Sequence, residues 1–187
     1  MSEPICVLGI SGSLRKGSYN TGLLRAAIEL APEGMTVETA QIRAIPLYDE
    51  DVRAQGYPPE VDELRRRIKA ADALLIVTPE YNYSMPGVLK NAIDWASRPP
   101  DQPFDGKPLA IMGASVGMLG SARAQYHLRQ TALSLNMLPL NKPEVFVARA
   151  PEKFDASVTL TDETTRKVIK QQLVALAEWT RRLKGRL

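Results

Sequence analysis

Three short segments of this chain carry residues of the types that bind a flat, phosphorylated ligand. Residues 11–21, "SGSLRKGSYNT", offer several hydroxyls, the amide of Asn20 and the guanidinium of Arg15. Residues 79–87, "PEYNYSMPG", offer two tyrosine rings with carboxylate, amide and hydroxyl groups, and residues 113–121, "GASVGMLGS", are mostly small. Hydroxyls with a guanidinium suit a phosphate, whereas aromatic faces with polar edges suit a planar heterocycle. Small residues let the backbone approach such a ligand closely.

The first segment follows an apolar run, "ICVLGI", and precedes a stretch of helical periodicity. The N–H groups at a helix start, together with hydroxyls and one guanidinium, make a phosphate pocket. The alternative is an ordinary turn rich in serine and glycine, whose polar side chains only cap the helix.

Three familiar phosphate-binding motifs are excluded. A Walker loop needs Lys and then Ser or Thr after its second glycine, whereas Lys16 stands before Gly17. A dinucleotide fingerprint needs G-x-G-x-x-G, but the glycines stand at positions 9, 12 and 17. The loop of a low-molecular-weight cysteine phosphatase places its cysteine and arginine closer together than the eight residues that separate Cys6 from Arg15.

Short apolar runs alternate with helical periodicity along the chain, and this alternation predicts how the three segments are placed. Strands are predicted over residues 5–10, 35–42, 73–78, 108–115 and 144–148, and helices over residues 20–30, 60–70, 87–97, 121–136 and 162–183. Near-continuous apolar strands that alternate with helices indicate an α/β fold, with a parallel sheet covered by helices on both faces. No repeat or composition break divides the chain, so we expect one domain, residues 1–187.

In an open parallel sheet, ligands bind beyond the carboxyl ends of the strands, where the winding reverses. The three polar segments follow the first, third and fourth predicted strands, so we expect them to meet at one edge. A phosphate at the first segment and a flat ring at the other two describe a mononucleotide, and flavin mononucleotide (FMN) fits best.

Composition excludes several other classes. The 24 basic and 21 acidic residues are interleaved, and their net charge of +3 predicts no nucleic-acid partner. No apolar run approaches the roughly 20 residues that span a bilayer, so no membrane partner is expected. The start "MSEPICVLGI" lacks the features of a signal peptide, which predicts a cytoplasmic location. The single cysteine, Cys6, permits no internal disulfide and is expected to pack within a strand.

The motifs "GSLRKGSYN", "PEYNYSMPGVLKNAIDW" and "GMLGSARAQYHLRQ", in this order and spacing, resemble those of the NADPH-dependent FMN reductase family, in its branch of bacterial quinone and chromate reductases. The resemblance covers essentially the whole chain. It implies a flavodoxin-like fold, which is a doubly wound five-stranded parallel sheet of order 2-1-3-4-5. It also implies one non-covalent FMN per subunit and two-electron transfer from NADPH or NADH to quinones and other acceptors, including free flavin, chromate and azo compounds.

The resemblance further implies which residues contact FMN. Ser13, Arg15, Ser18 and Asn20 are expected at the phosphate, residues 79–83 at the isoalloxazine, and Ser115 near the ring or the ribityl chain. The full expected set is Ser11, Ser13, Leu14, Arg15, Ser18, Tyr19, Asn20, Pro79, Glu80, Tyr81, Asn82, Tyr83 and Ser115. Two positions depart from the family pattern, because many relatives have Pro in place of Val116 and Gly in place of Ser121.

The chemistry is expected at the flavin itself, with no catalytic side chain and no metal. Glu80 is either a general acid or, preferably, a structural carboxylate bonded to nearby backbone or to a partner subunit. Tyr81 and Tyr83 are either ligand contacts, which we favour, or packing residues. The only histidine, His127, lies mid-helix and is expected at the surface or at a subunit contact.

The resemblance implies homodimers that pair into homotetramers. Arg123 and Tyr126 share one helix face and, with Glu144, are candidates for bridging subunits; solvated surface is the alternative. Donor and acceptors, which include quinones and metal oxyanions, are expected to share an open space bounded by Tyr83 and residues 45–59 and 98–107. The rival functions are a non-enzymatic flavodoxin-like electron carrier and a regulatory flavin sensor. A carrier is disfavoured because such carriers are typically acidic, whereas this chain is basic.

Overall fold

A computed structural model of the chain describes residues 3–185. Within these residues, strands and helices alternate as predicted. The strands are β1 (Ile5–Ser11), β2 (Met35–Ala40), β3 (Ala73–Val77), β4 (Pro108–Ala114), β5 (Leu138–Pro139) and β6 (Val145–Val147). The helices are α1 (Tyr19–Glu29), α2 (Glu50–Ala54), α3 (Pro59–Ala70), α4 (Gly87–Ala96), α5 (Ala122–Ser134) and α6 (Glu163–Lys184), with a 3-10 turn at Ala150–Glu152.

All strand pairs are parallel, and the sheet order is β2-β1-β3-β4-β5, with β6 also paired to β4. This confirms the predicted flavodoxin-like order. The last position in the sheet is shared by two short strands: β5 pairs with the start of β4, and β6 pairs with its end, from Met112 to Ala114. The sequence predicted one strand here and missed β5, because two residues are too few to show a periodicity.

Side-chain amides fill the gap between β5 and β6. Gln172 of α6 is 1% exposed, and its Nε2 donates to the carbonyls of Ile111 at 3.0 Å and Pro143 at 2.9 Å. From the opposite face, Gln125 of α5 donates through Nε2 to the carbonyl of Val145 at 3.0 Å. Since buried carbonyl groups need donors, these amides replace ladder bonds that a continuous strand would supply.

Helices cover both faces of the sheet, as the apolar strands predicted. Every residue of β3 and β4 is buried. One core cluster packs α1 and α6 on the sheet and includes Leu23 and Leu173. The other packs α3, α4 and α5 through Leu64, Leu89 and Leu128. Each large aliphatic side chain buried in this way stabilises the fold by about 1.5–3 kcal/mol.

The predicted helices begin close to where the sequence placed them, and capping side chains mark two of these starts. Ser18 accepts a hydrogen bond from the Thr21 N–H at the start of α1, and Asp162 accepts one from the Thr165 N–H at the start of α6. Helix α2 was not predicted; it lies inside the long connection of residues 45–59. Across residues 3–185, none of the helices combines the length and the apolar character needed to cross a membrane.

Candidate functional site

The three polar segments meet, as predicted, at the carboxyl edge of the sheet. They surround a cavity of about 210 Å³, which lies beyond the ends of β1, β3 and β4. Its lining consists of Ser13, Arg15, Ser18, Tyr19, Asn20, Pro79, Glu80, Tyr81, Ala114, Ser115 and Val116. Nine of the thirteen residues predicted at the site therefore line one cavity, and Ala114 and Val116 are additions.

Strand register brings the loops to the same level. Ser11 pairs with Val77, and Val77 pairs with Met112, so the three strands end side by side. Gly113 permits a close approach just beyond them, because a Cβ atom there would overlap the carbonyl oxygen of Thr78 and the side chain of Ser121. The loops after β3 and β4 can therefore lie directly against each other at the cavity.

The first loop presents donors that suit a phosphate. Ser18 is 2% exposed and caps α1, whose first turn contains no acidic residue. The first N–H groups of a helix have no intrahelical partner, so this end of α1 carries positive partial charge. Ser13 adds a hydroxyl and Arg15 a guanidinium, whose Cζ lies 5.4 Å from the centroid of the Tyr19 ring. This donor set fits a phosphate dianion, which is the chemical match that FMN requires.

The Asn20 side chain makes two buried hydrogen bonds that the sequence did not predict. The residue is 4% exposed, and its Nδ2 donates to the carbonyl of Ala114 at 3.0 Å. The Ala114 N–H donates in return to Asn20 Oδ1 at 2.9 Å. The amide nitrogen carries two N–H bonds and only one of them is used here, so the second N–H of Nδ2 and the backbone N–H in the first turn of α1 remain for a phosphate.

The loop after β3, residues 78–86, here called the ring loop, contains a tight turn that the sequence did not predict. Tyr81 and Ser84 exchange backbone hydrogen bonds of 2.9 Å and 3.0 Å. Between them, Asn82 and Tyr83 have positive φ angles of 49° and 69°, as in a type I′ turn. The usual sequence for that turn is Asn-Gly, so the dipeptide Asn82-Tyr83 did not predict it. The turn carries Asn82 and Tyr83 beyond the cavity lining, and the Tyr83 side chain is 65% exposed.

Glu80 occupies a structural position. Its side chain is 7% exposed, and Oε2 accepts hydrogen bonds from the N–H groups of Arg123 at 3.0 Å and Ala124 at 3.3 Å. It also forms an ion pair with the Arg123 guanidinium, and this hydrogen bonding raises the pKa of Arg123. Glu80 thus caps the start of α5, and the geometry agrees with the structural carboxylate we favoured rather than with a general acid.

The third loop explains one departure from the family pattern. Ser121 is fully buried with a φ of 68°, in the left-handed region where glycine is favoured. Its Oγ accepts a hydrogen bond from Gln125 Nε2 at 3.2 Å, which gives the serine a buried partner. Val116, the other departure, lines the cavity and is 72% exposed.

Two expected residues do not line this cavity: Ser11, at the end of β1, and Leu14, in the loop of residues 12–18 that is here called the phosphate loop. They line a second cavity of about 290 Å³ between α1 and the end of β2, and Ser13 contributes to both cavities. Ser11 Oγ lies 3.0 Å from Thr21 Oγ1, so the Ser11 hydroxyl is hydrogen-bonded to the first turn of α1.

Residues 45–59 and 98–107 do not line the cavity. The first segment is held on α4, where the Pro46 carbonyl accepts hydrogen bonds from Trp95 Nε1 at 2.9 Å and Asn91 Nδ2 at 2.8 Å. The second leads into the amino end of β4, at the opposite edge of the sheet, where Lys107 Nζ donates to the Ala71 carbonyl at 2.5 Å. These two segments therefore do not contribute to this cavity, and the space that donor and acceptor are expected to share stays a prediction.

The candidate subunit contacts are engaged within the chain. Tyr126 donates to Glu144 Oε1 at 3.3 Å, and Arg123 Cζ lies 3.6 Å from the centroid of the Tyr83 ring. His127 lies on the surface of α5, with Nδ1 3.0 Å from Ser84 Oγ. Over residues 3–185, no group of three or more His, Cys, Asp or Glu side chains is arranged to hold a metal ion.

Comparison with known proteins agrees with this geometry. The NADPH-dependent FMN reductase family profile matches residues 5–152. The chain is 63% identical over 185 residues to the NAD(P)H-dependent FMN reductase of Pseudomonas aeruginosa, covering 99% of this chain and 100% of that relative. It is 46% identical over 187 residues to the quinone reductase of Escherichia coli strain K12, covering 98% and 100%.

Among solved structures, the flavoenzyme NAD(P)H:(acceptor) oxidoreductase FerB of Paracoccus denitrificans superposes with a TM-score of 0.86. The identity is 37%, and the match covers 95% of this chain and 98% of that chain. These matches show that the chain belongs to the NADPH-dependent FMN reductase family, as an enzyme with FMN as its cofactor and NAD(P)H as its electron donor.

Proposed function

We propose that this protein transfers two electrons from NADPH or NADH, by way of FMN, to quinones. The observation that carries the proposal is the cavity of about 210 Å³ in which a phosphate-binding helix start faces a ring loop. Pockets that enclose a ligand usually measure about 300–1,000 Å³. A flavin in this cavity is therefore only partly enclosed, and its open side is available to a donor and an acceptor.

Each part of the cavity has a separate task in holding the cofactor. Ser13, Arg15 and Ser18, with the helix-start N–H groups, bind the phosphate. Pro79, Tyr81 and Ser115 contact the isoalloxazine and ribityl parts. When bound, FMN supplies hydride acceptance and electron donation, and the protein supplies placement and polar surroundings.

The side chains around the cavity favour this division of tasks. Glu80 is the one carboxylate in the lining, and it is neutralised by Arg123 and by helix N–H groups. Its oxygens therefore accept hydrogen bonds from the protein itself, which leaves the phosphate to the donors of the first loop. Leu14, Asn82 and Tyr83 remain proposed cofactor contacts that approach from outside the lining.

Quinones are the acceptors for which the comparisons give support, since the relative from E. coli is named a quinone reductase. We extend the proposal to free flavin, azo compounds and metal oxyanions such as chromate, because an open cavity imposes little shape on an acceptor. We also propose that the chain is a single domain and that it forms homodimers or homotetramers in the cytoplasm. No nucleic-acid or membrane partner is part of this proposal. The rival electron carrier is disfavoured by the family assignment and by the basic net charge of +3.

The test is a titration of the FMN-free protein with FMN, followed by flavin fluorescence. Arg15→Ala should weaken binding by about 1.5–3 kcal/mol, or about 10- to 150-fold, which is the scale of a hydrogen bond to a charged group. Lys16→Ala is the matched control, since it removes a neighbouring exposed cation that does not line the cavity. Steady-state rates with both donors and a panel of acceptors then rank the substrates. Protein that ignores FMN but binds ATP or NAD tightly would contradict the proposal.

A further inference from the structure

We propose that residues 154–160, here called the clamp segment, hold the phosphate loop in its binding position, and that Val158 is the positioning residue within it. The segment lies between the 3-10 turn and α6, far from the phosphate loop in sequence. The inference rests on the proposed phosphate site and goes beyond it, because it assigns a function to residues outside the cavity lining.

The clamp segment is internally closed. Phe154 and Leu160 pair as an antiparallel bridge, and the Thr159 carbonyl accepts a hydrogen bond from the Asp155 N–H at 3.0 Å. Asp155 Oδ1 accepts from the N–H groups of Ser157 at 2.9 Å and Thr159 at 2.8 Å, and from Ser157 Oγ at 2.7 Å. These bonds make the segment a rigid turn rather than a loose connection.

Val158 is held in a conformation that its side chain disfavours. Its φ is 62°, and a β-branched residue with a positive φ is a genuine outlier. Such a conformation persists only where the surroundings determine it, and it is often associated with function. Asparagine or glycine would adopt this φ more easily, so the valine indicates that its methyl groups make contacts that matter.

Those contacts are with the helix start that faces the phosphate. A Cβ atom at Gly22 would lie 2.5 Å from the Val158 carbonyl oxygen and 2.9 Å from Phe154 Cε1, so α1 approaches the clamp segment as closely as glycine allows. A Cβ at Gly17 would lie 3.9 Å from Val158 Cγ2. Arg25 of α1 donates to the Val158 carbonyl at 2.7 Å.

The Val158 side chain therefore lies against Gly22 in the first turn of α1, where an added Cβ would be 3.1 Å from Val158 Cγ1, and it faces Gly17, which precedes the helix start. The Phe154 ring extends the contact, with its centroid 5.1 Å from that of Tyr19, a residue of the cavity lining. On the cavity side, Asn20 ties the same helix turn to Ala114. The helix start is thus fixed between β4 and the clamp segment, which sets where its N–H groups point.

The test compares two ligands that differ only in the phosphate. FMN-free wild type, Val158→Ala and Val158→Gly are titrated with FMN and with riboflavin, and binding is followed by flavin fluorescence. Both variants should lose FMN affinity by about tenfold or more, while riboflavin affinity changes by less than about twofold. Val168→Ala is the control, because it truncates another half-buried valine that packs on the same core cluster; both affinities should stay within about twofold.

Val158→Gly keeps the inference distinct from general unfolding. Relief of the strained φ offsets part of the packing and chain entropy lost with the isopropyl group, so the FMN-free variant should still unfold in one transition above the titration temperature, even though its FMN affinity falls. A second readout is the ³¹P resonance of bound FMN, which should shift in Val158→Gly because the phosphate environment changes.

Three results would overturn the inference. These are an equal loss of FMN and riboflavin affinity, wild-type FMN affinity in Val158→Gly, or an unchanged ³¹P resonance. Failure of the underlying phosphate site looks different, because Arg15→Ala would then leave FMN binding unchanged. If Arg15→Ala weakens binding and the Val158 variants do not, only the role of the clamp segment is wrong.

Discussion

Asn20 and Ala114 exchange two hydrogen bonds, with the Asn20 amide donating to the Ala114 carbonyl at 3.0 Å and accepting from its N–H at 2.9 Å. The residues are 4% and 2% exposed, so water cannot replace either bond. The pair joins the start of α1 to the end of β4, and both residues line the cavity. Two walls of the cofactor site are thereby held at a fixed separation.

We expect Asn20→Ala to destabilise the protein by about 2–4 kcal/mol, because two buried backbone groups lose their partners. Asn20→Asp should also destabilise it, since a carboxylate cannot donate to the Ala114 carbonyl. Urea unfolding measures both effects, and Asn141→Ala, at an exposed asparagine, is the control. An Asn20→Ala free energy of unfolding within about 0.5 kcal/mol of wild type would contradict the assigned bonds.

Substitutions of Glu80, which pairs with Arg123, test whether its carboxylate is structural or acts as a general acid. Glu80→Gln keeps an acceptor for the N–H groups of α5, so turnover should remain within about threefold of wild type. Glu80→Ala removes the cap and leaves Arg123 without its ion-pair partner, and should lower the free energy of unfolding by about 1–2 kcal/mol. If Glu80→Gln binds FMN and is stable but turns over far more slowly, the carboxyl proton takes part in the chemistry.

Substitutions of Gln172 and of its exposed neighbour Gln171 test whether the buried amide supports the split sheet edge. Gln172→Ala removes the donor from the carbonyls of Ile111 and Pro143 and opens a cavity at the split sheet edge. We expect a loss of about 2–4 kcal/mol in urea unfolding, from unpaired buried carbonyls and lost packing. Gln171→Ala changes the adjacent, exposed glutamine of the same helix and should stay within about 0.5 kcal/mol. Equal effects of the two substitutions would show that the amide of Gln172 does not support the edge.

The pKa of Asp72 predicts how the stability of the protein depends on pH. Burial alone would raise the pKa of Asp72, but hydrogen bonds from Lys184 at 2.6 Å and from the Cys6 N–H at 2.8 Å outweigh it and lower the pKa from its usual value. The folded state then binds the proton less tightly than the unfolded state. The stabilisation is fully present above the unfolded pKa of about 3.9 and is lost as pH falls through the folded value.

Asp72→Asn should therefore be less stable than wild type by roughly 1 kcal/mol at pH 5–7, and the difference should shrink below about pH 4. Asparagine still accepts from the Cys6 N–H, so the variant isolates the ion pair with Lys184. Asp62→Asn, at an exposed carboxylate on α3, is the control. A difference that grows on acidification would mean that the sign of the pKa shift is wrong.

Local periodicity was enough to predict β1, β3 and β4 and the three loops that follow them. It could not predict the part of Asn20, because the partner Ala114 lies 94 residues away and no local pattern marks the pair. The left-handed Asn82 and Tyr83 also had no signal, since the glycine usual in such a turn is absent. In these places, contacts between distant segments determine the backbone, and a single sequence does not display them.

The exposed position of Tyr83 leads to the last prediction, which concerns the order of substrate binding. Tyr83 lies outside the cavity lining with its ring against Arg123, so it borders the open side of the site rather than its interior. Tyr83→Ala should therefore change the KM for the acceptor more than it changes the Kd for FMN, and Tyr83→Phe should restore the wild-type KM because it keeps the ring.

If donor and acceptor use this open side in turn, the oxidised nicotinamide must leave before the acceptor enters. Initial rates at several fixed acceptor concentrations should then give parallel double-reciprocal lines, and a flat quinone analogue should compete with NAD(P)H. Intersecting lines with a demonstrable ternary complex would mean that both substrates bind at once, and that a single shared space is wrong.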